Sequence, residues 1–271
     1  RGYPGSINTL RRAMKPLRIK NKRSYSVMNV FSGQQAQVDW AHFGSLKINK
    51  GERKLYLFVM VMSWSRAVFA RFTFDQKTDS FLRLHEEAFS YFKGVPKEIL
   101  YDNLKSAVIE RFRDKVKFNP QLVEFSGFYG YEPKACKPYS GNQKGRVERA
   151  IRYIRDDFAA TTEFNNIKTL NEKLFIWLNE VANVKKWPDN RDFTVSEQLE
   201  KEREFLRPIT DKKINPKYTG VIRSNKCGMV RFDLNDYSIP WQYVRDQITV
   251  EANDFTVKFY YKDQWICEHE R

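Results

Sequence analysis

Three acids stand out by their surroundings. Asp39 lies in Gln37-Val38-Asp39-Trp40, in the middle of a stretch that alternates polar and apolar. A dry, unpaired carboxylate there is costly, so something must hold its charge. Asp102 closes the apolar segment Glu98–Tyr101, at the C-terminal edge of an expected strand, where α/β sheets present ligand sites. Glu148 falls on an expected helix about a quarter-turn from its apolar stripe, able to look back over the sheet edge, while Lys144, Arg152 and Arg155 share its flank. Taken singly, Asp39 could pair with a buried Arg, Asp102 could form an Asx-turn or cap a helix, and Glu148 could make i,i+4 pairs. Brought to one end of a sheet, three carboxylates without local cations suit two magnesium ions, for which manganese would substitute, because hard oxygen ligands with open positions can bridge a scissile phosphate. Such mutually repelling acids would be strained without metal, so neutralising one is expected to leave stability intact or raise it.

The elements that must position these acids are legible in the hydrophobic pattern. Strands are expected at 35–41, 54–62 and 66–74, the last two joined by a Ser-Trp-Ser turn. A helix capped by Thr78 or Asp79 should run to about Lys93 on a stripe of Phe81, Leu82, Leu84, Ala88, Phe89 and Phe92, ending at Gly94-Val95-Pro96. A strand at 98–101, a short helical start at 104–108, a helix at 119–129 and a strand at 132–137 follow. After a flexible loop at 138–145, Val147, Ile151, Ile154 and Phe158 define a helix over 144–158. Another helix spans 170–184 and closes at Trp187-Pro188-Asp189-Asn190. From about Pro208 the pattern becomes short strands near 219–223, 228–233, 237–240, 247–252, 255–261 and 264–268, enough for a small β-barrel.

Charge points to the partner. The 271 residues carry 48 Lys plus Arg against 33 Asp plus Glu, a net +15, and a surplus of that size suggests a polyanion. Arg1, Arg11, Arg12, Lys15, Arg18, Lys20, Lys22 and Arg23 contribute +8 with no acid among residues 1–23. In this arm Ser6 is expected to cap a short basic helix over 7–15 that Pro16 stops. Around Glu148, Lys144, Arg146, Arg149 and Arg152 suit phosphate contacts that steady DNA beside acids, and Lys105 reads either as a phosphate contact or as a solvated lysine. His42 is read as a hydrogen-bonding or DNA-contacting residue rather than a base. Trp64, Phe89, Phe92 and Trp177 read as core. Cys136, Cys227 and Cys267 form no C-x-x-C pair and are expected to pack rather than bridge or bind zinc. The longest apolar runs fall far short of a membrane span and no leader opens the sequence, so an intracellular chain is expected.

The order of elements resembles the RNase H-like core of DDE transposases and retroviral integrases. The strings Gln37-Val38-Asp39-Trp40, Tyr101-Asp102-Asn103-Leu104-Lys105-Ser106-Ala107-Val108 and Lys144-Gly145-Arg146-Val147-Glu148-Arg149 are similar to those of IstA-type transposases of bacterial insertion sequences. The opening, Gly2-Tyr3-Pro4-Gly5-Ser6 through Leu10-Arg11-Arg12, is similar to the recognition helix that ends the family's helix-turn-helix region, and Tyr237-Ser238-Ile239-Pro240 onward to its C-terminal barrel. The acids are separated by 62 and 45 residues, and the second interval is longer than in the retroviral signature but suits this type; a His/Cys zinc module would have marked the retroviral one. The resemblance implies an α/β fold with a mixed five-stranded sheet and flanking helices. Its parts would be a basic helix end and linker (1–32), a DDE core (33–160), a helical extension (161–207) and a small β-barrel (208–271). It further implies a cytoplasmic, nucleoid-associated bacterial protein that cleaves 3′ ends of its element and transfers them into target DNA. Asp39 would bridge both metals while Asp102 and Glu148 complete one site each. The implied partners are transposon-end DNA, target DNA, further copies of the chain as a dimer or higher multimer, and an AAA+ ATPase helper. The rival reading is a non-catalytic DNA-binding or architectural protein on a degenerate integrase core.

Overall fold

The computed structural model describes residues 6–15, 30–48, 51–102, 107–112, 115–136, 144–164, 166–210, 218–233, 235–252 and 256–270. The expected arm positions Arg18, Lys20, Lys22 and Arg23, together with Lys105 and loop residues 138–143, lie outside them. Helix α1 (Ile7–Met14) begins where the Ser6 hydroxyl accepts the Thr9 amide at 3.3 Å, and none of its residues is buried.

Strands β1 (Gln35–Ile48), β2 (Gly51–Met62), β3 (Val68–Thr73), β4 (Glu98–Tyr101) and β7 (Glu132–Ala135) form one sheet in the order β3-β2-β1-β4-β7. The first three pair antiparallel, and β4 and β7 join parallel. This is the expected α/β RNase H-like arrangement. β1 runs past its expected end at residue 41 because an irregularity between His42 and Ser45 shifts the register and lets pairing with β2 resume.

The alternation of β1 sorts its residues onto two faces. Ala36, Val38 and Trp40 meet Phe58, Met60 and Met62 of β2 beneath α2 (Thr78–Phe92) and α3 (Pro120–Tyr129). Ala41 shares the opposite core with Leu55, Leu57, Val59, Val61 and the inward residues of α4 (Gly145–Tyr153) and α5 (Ile167–Trp177). Both of these last helices continue as π-helical turns, Ile154–Ala159 and Leu178–Ala182. Lys77 rather than Thr78 or Asp79 holds the cap position of α2, and no side chain caps it.

Two asparagines close the free edge of the sheet. Asn171 accepts the Phe72 amide at 2.8 Å and donates to the Phe72 carbonyl at 3.0 Å, while Asn183 does the same for Val68 at 2.9 Å each way. Each amide thus imitates a neighbouring strand and satisfies the open ladder of β3.

Two elements differ from expectation. Of the helical start expected at 104–108, residues 104–106 lie outside the described residues; Ala107 lies in a turn, and β5 (Val108–Phe112) pairs with β6 (Lys115–Phe118) as a hairpin. Val108, Val116 and Phe118 put β-favouring side chains against the α2 core, which outweighs local helical preference. Within 161–207 a further helix, α6 (Val195–Arg203), starts on a capping box formed by Thr194 and Glu197. Its Val195 and Leu199 enter the α2 core. Buried Glu202 accepts the Gly33 amide at 3.0 Å and the Ser65 amide at 3.1 Å, tying α6 to the start of β1 and to the β2–β3 turn. Gly33 has φ +69°, and a Cβ there would lie 2.5 Å from the Phe205 carbonyl oxygen, so the chain needs glycine at this crossing.

The C-terminal strands make two sheets rather than one continuous one: β8 (Tyr218–Arg223), β11 (Gln247–Ala252), β12 (Thr256–Tyr261) and β13 (Gln264–Glu270) in the order β13-β12-β11-β8, and the pair β9 (Met229–Phe232) and β10 (Asn235–Ser238). Val230, Phe232, Tyr237, Ile239, Ile248, Val250, Val257 and Phe259 fill a common core. Of the cysteines only Cys136 is buried; Cys227 is exposed in a turn and Cys267 half-buried, and none forms a disulfide. Among the described residues no helix is long and apolar enough to cross a membrane.

Candidate active site

The site grows out of one face of β1. Gln35, Gln37 and Asp39 occupy alternate positions on the side that faces α4, and each polar head has a partner. Gln35 donates to Glu98 at 2.7 Å and accepts from Ser63 at 3.1 Å; the Gln37 carbonyl accepts the Val147 amide at 3.3 Å, docking the start of α4 on the sheet. Asp39 is next in the row. Val38 pairs with Tyr101 across the parallel β1–β4 ladder, so one step further Asp39 and Asp102 stand side by side where β4 ends.

Lys144 joins them. Its ammonium lies 2.7 Å from Asp39 Oδ2 and 2.9 Å from Asp102 Oδ2, and its side chain is 7% exposed. Asp39 Oδ1 also accepts the Trp40 amide at 2.8 Å. Burial pushes the Asp39 carboxyl above its ordinary value, against the hydrogen bond and charge of Lys144, which favour the ionised form. Burial pulls the Lys144 ammonium down, but the two carboxylates together outweigh it and its pKa is raised. The expectation of acids without a local cation is therefore corrected: two carboxylates on adjacent strands repel, and the long cationic side chain of Lys144 reaches both and sits between them. Lys144, expected as a phosphate contact, pairs with both acids in this structure.

Glu148 stands one turn beyond Lys144 on α4 and is exposed. Among the described residues no three His, Cys, Asp or Glu side chains come close enough together to hold a metal ion. The Asp39–Asp102 pair, with two hard oxygens already turned onto one cation, fits a magnesium or manganese ion by donor chemistry. Glu148 is not gathered into that pair. Arg149 and Arg152 are exposed on the same helix, and Arg146 is half-buried. Arg11, Arg12 and Lys15 are exposed on α1, separate from this site in sequence and element. His42 is exposed at the β1 irregularity, where its backbone carbonyl accepts from Arg155 at 3.2 Å.

Beneath the site lies a buried relay that the sequence reading missed. His85 Nδ1 is 2.7 Å from the Phe81 carbonyl, which can only accept, so the proton is on Nδ1 and Nε2 accepts from the Tyr101 hydroxyl at 3.0 Å. Tyr101 in turn accepts from Tyr131 at 2.9 Å. Burial lowers the His85 pKa to about 4 and raises both tyrosines, so all three are neutral near pH 7 and the relay fixes the residue immediately before Asp102. The signal for His85 was its place, four residues after Phe81, on an otherwise apolar stripe.

Two family models match this chain: the one described as integrase core domain over residues 32–141 and the one described as Mu transposase, C-terminal domain over residues 215–271. The chain is an integrase-core relative of the insertion-sequence transposases. It is 34% identical over 98% of its length to the candidate transposase for insertion sequence element IS5376 of Geobacillus stearothermophilus, spanning 66% of that protein. It is 26% identical over 99% of its length to the transposase for insertion sequence element IS21 of Pseudomonas aeruginosa, spanning 69% of it. Among solved structures, a chain of the simian T-cell lymphotropic virus intasome in complex with PP2A regulatory subunit B56 gamma superimposes with a TM-score of 0.48 at 15% identity, covering 90% of this chain and 79% of that one. The catalytic core domain of BIV integrase gives 0.46 at 18% identity, covering 64% of this chain and 97% of that one. Within this integrase core the Asp39–Lys144–Asp102 cluster lies inside, or a few residues beyond, the matched segment.

Proposed function

We propose that the chain is the catalytic core and C-terminal module of a DNA transposase that cleaves the 3′ ends of its element and transfers them into target DNA. The observation that carries this reading is the placement of Asp39 and Asp102 side by side at the end of two parallel strands of an integrase core, with both carboxylates turned onto one cation. Two magnesium ions, or manganese in their place, supply Lewis acidity and an activated attacking oxygen when bound. Asp39 would hold both ions, with Asp102 and Glu148 completing one site each, and Gln37 fixes the start of the helix that carries Glu148 by its bond to the Val147 amide.

The reaction has two displacements at phosphorus. Water opens a phosphodiester at each element end and leaves a 3′-hydroxyl; that hydroxyl then attacks a target phosphodiester, expelling a target 3′-oxygen. Neither step needs an external energy source, since one phosphodiester replaces another in the second. Arg146, Arg149 and Arg152 on α4, with Lys105, would place phosphates near the acids. Arg11, Arg12 and Lys15, with Arg18, Lys20, Lys22 and Arg23, would track DNA away from them. We assign residues 1–32 to DNA contact, 33–160 to chemistry, 161–207 to support of the core and 208–271 to assembly of a dimer or higher multimer on paired ends. An AAA+ helper for target choice belongs to the same reading.

A non-catalytic architectural role is favoured by one observation, the exposure of Glu148 outside the aspartate pair. Cleavage of element-end DNA in magnesium separates the two. Asp39→Asn, Asp102→Asn and Glu148→Gln should each lower cleavage and strand transfer by at least about a hundredfold while DNA binding persists. Undiminished DNA binding by a wild-type chain that cuts nothing in magnesium or manganese would establish the architectural reading.

A further inference from the structure

Lys144 occupies an electrostatically poor position. It is the N-cap residue of α4, with no side-chain cap bond, and Arg146 follows in the first turn. The N-terminus of a helix carries partial positive charge and favours acids over bases. A buried ammonium there persists because Asp39 and Asp102 hold it at 2.7 and 2.9 Å. The pair in turn needs a cation, since two neighbouring carboxylates, one of them largely buried, repel each other when nothing lies between them.

We infer that Lys144 is a built-in counter-cation of the aspartate pair, a positioning residue that keeps Asp39 and Asp102 facing one point until a divalent metal ion displaces it. The inference rests on the reading of these acids as metal ligands and adds that metal entry is an exchange of cations. Lys and metal cannot both take the same two Oδ2 atoms. The lysine stem has four rotatable carbons, so the ammonium can swing out while α4 stays anchored through the Val147–Gln37 bond. Two consequences follow. Without metal, the ammonium is shielded and the acids are preorganised; with metal, the ammonium is released toward solvent at the mouth of the site.

The test uses the full chain without DNA. In the wild type, reductive methylation of Lys144 by formaldehyde, read by peptide mass spectrometry, should be slow without metal and several-fold faster in saturating magnesium, while lysines remote from the site do not change. In parallel, manganese binding is measured calorimetrically. Lys144→Met, which keeps the stem and removes the charge, should bind manganese at least about tenfold more tightly than wild type, and its melting temperature should be lower than wild type without metal and rise more on adding it. Lys144→Gln, which retains an amide donor, serves where the Met variant does not fold. Manganese binding that is lost in Asp39→Asn but unaltered in the Lys144 variants, with Lys144 methylation indifferent to metal, overturns the exchange and leaves the metal reading standing. Absence of manganese binding in wild type and Lys144 variants alike overturns both.

Discussion

The integrase core and the C-terminal module bury their polar groups in opposite ways. The core with its helical extension encloses Gln35, Gln37, His85, Lys144, Asn183 and Glu202, each with named partners, whereas in the module Ser224 and the Tyr237 hydroxyl are the polar groups buried among the described residues. Burying a polar group earns nothing unless its partners are placed for it, so such groups accumulate where geometry must be exact rather than where a core must merely close. The difference teaches that the core is built around orientation and the module around cohesion. Substitutions that remove polar side chains should therefore be felt strongly in one and weakly in the other.

The largest expected effect concerns His85. Its folded pKa, about 4, lies below the ordinary value of 6.5. Its contribution is fully present above pH 6.5 and is lost as pH falls toward 4, by roughly 3 kcal/mol in all. Urea midpoints taken at steps between pH 7 and 4 should show this fall, and His85→Met should flatten it; a wild type insensitive over that range would remove His85 from the comparison. Next is Asn183→Ala, which strips the Val68 amide and carbonyl of their partner and also breaks a 2.9 Å contact with the Tyr91 hydroxyl. It should cost about 2 kcal/mol in denaturant unfolding, and light scattering should report association through the opened β3 edge.

Asp39→Asn tests the site itself. Simple repulsion between acids predicts a neutral or stabilising change. With Lys144 seated between them, the substitution weakens a charge-assisted bond and should destabilise the metal-free chain by about 1 kcal/mol; a rise in melting temperature would show that repulsion dominates. The smallest effect belongs to the module. Lys258 and Glu268 pair at 3.5 Å with both side chains well exposed, and Lys258→Ala should shift stability by no more than about 0.5 kcal/mol. A loss comparable to Asn183→Ala would erase the contrast between the two regions.

Much of this architecture is legible in sequence because it follows from period and punctuation. The two-residue alternation at 35–41 and the stripe of α2 each have a local physical cause, and Asp39 stands out because a charge takes a polar position of that alternation between two apolar residues. What was not legible depends on distance. Nothing near Lys144 tells that its ammonium meets acids 105 and 42 positions earlier in the chain, since an N-terminal basic cluster on a helix looks the same whether it faces solvent or a sheet. The β5–β6 hairpin was hidden because Val108 gains its burial from α2, not from its neighbours. Helix α6 did carry a local sign, Thr194 three residues before Glu197, but its short apolar content reads as linker until the core it completes is known.

The bond from Gly33 to Glu202 joins residues 169 positions apart. A ribosome adding roughly 5–20 residues each second delivers β1 long before its anchor. For that interval the Gly33 and Gln34 carbonyls can already accept the Lys97 and Glu98 amides at 3.0 and 2.9 Å, while the Gly33 amide and the β2–β3 turn wait for the same carboxylate. The nascent chain thus acquires its hydrophobic sheet early and adds the Glu202 clasp on the start of β1 only after α6 has emerged. A polypeptide released before residue 202 keeps the ladder contacts of β1 and lacks this one clasp.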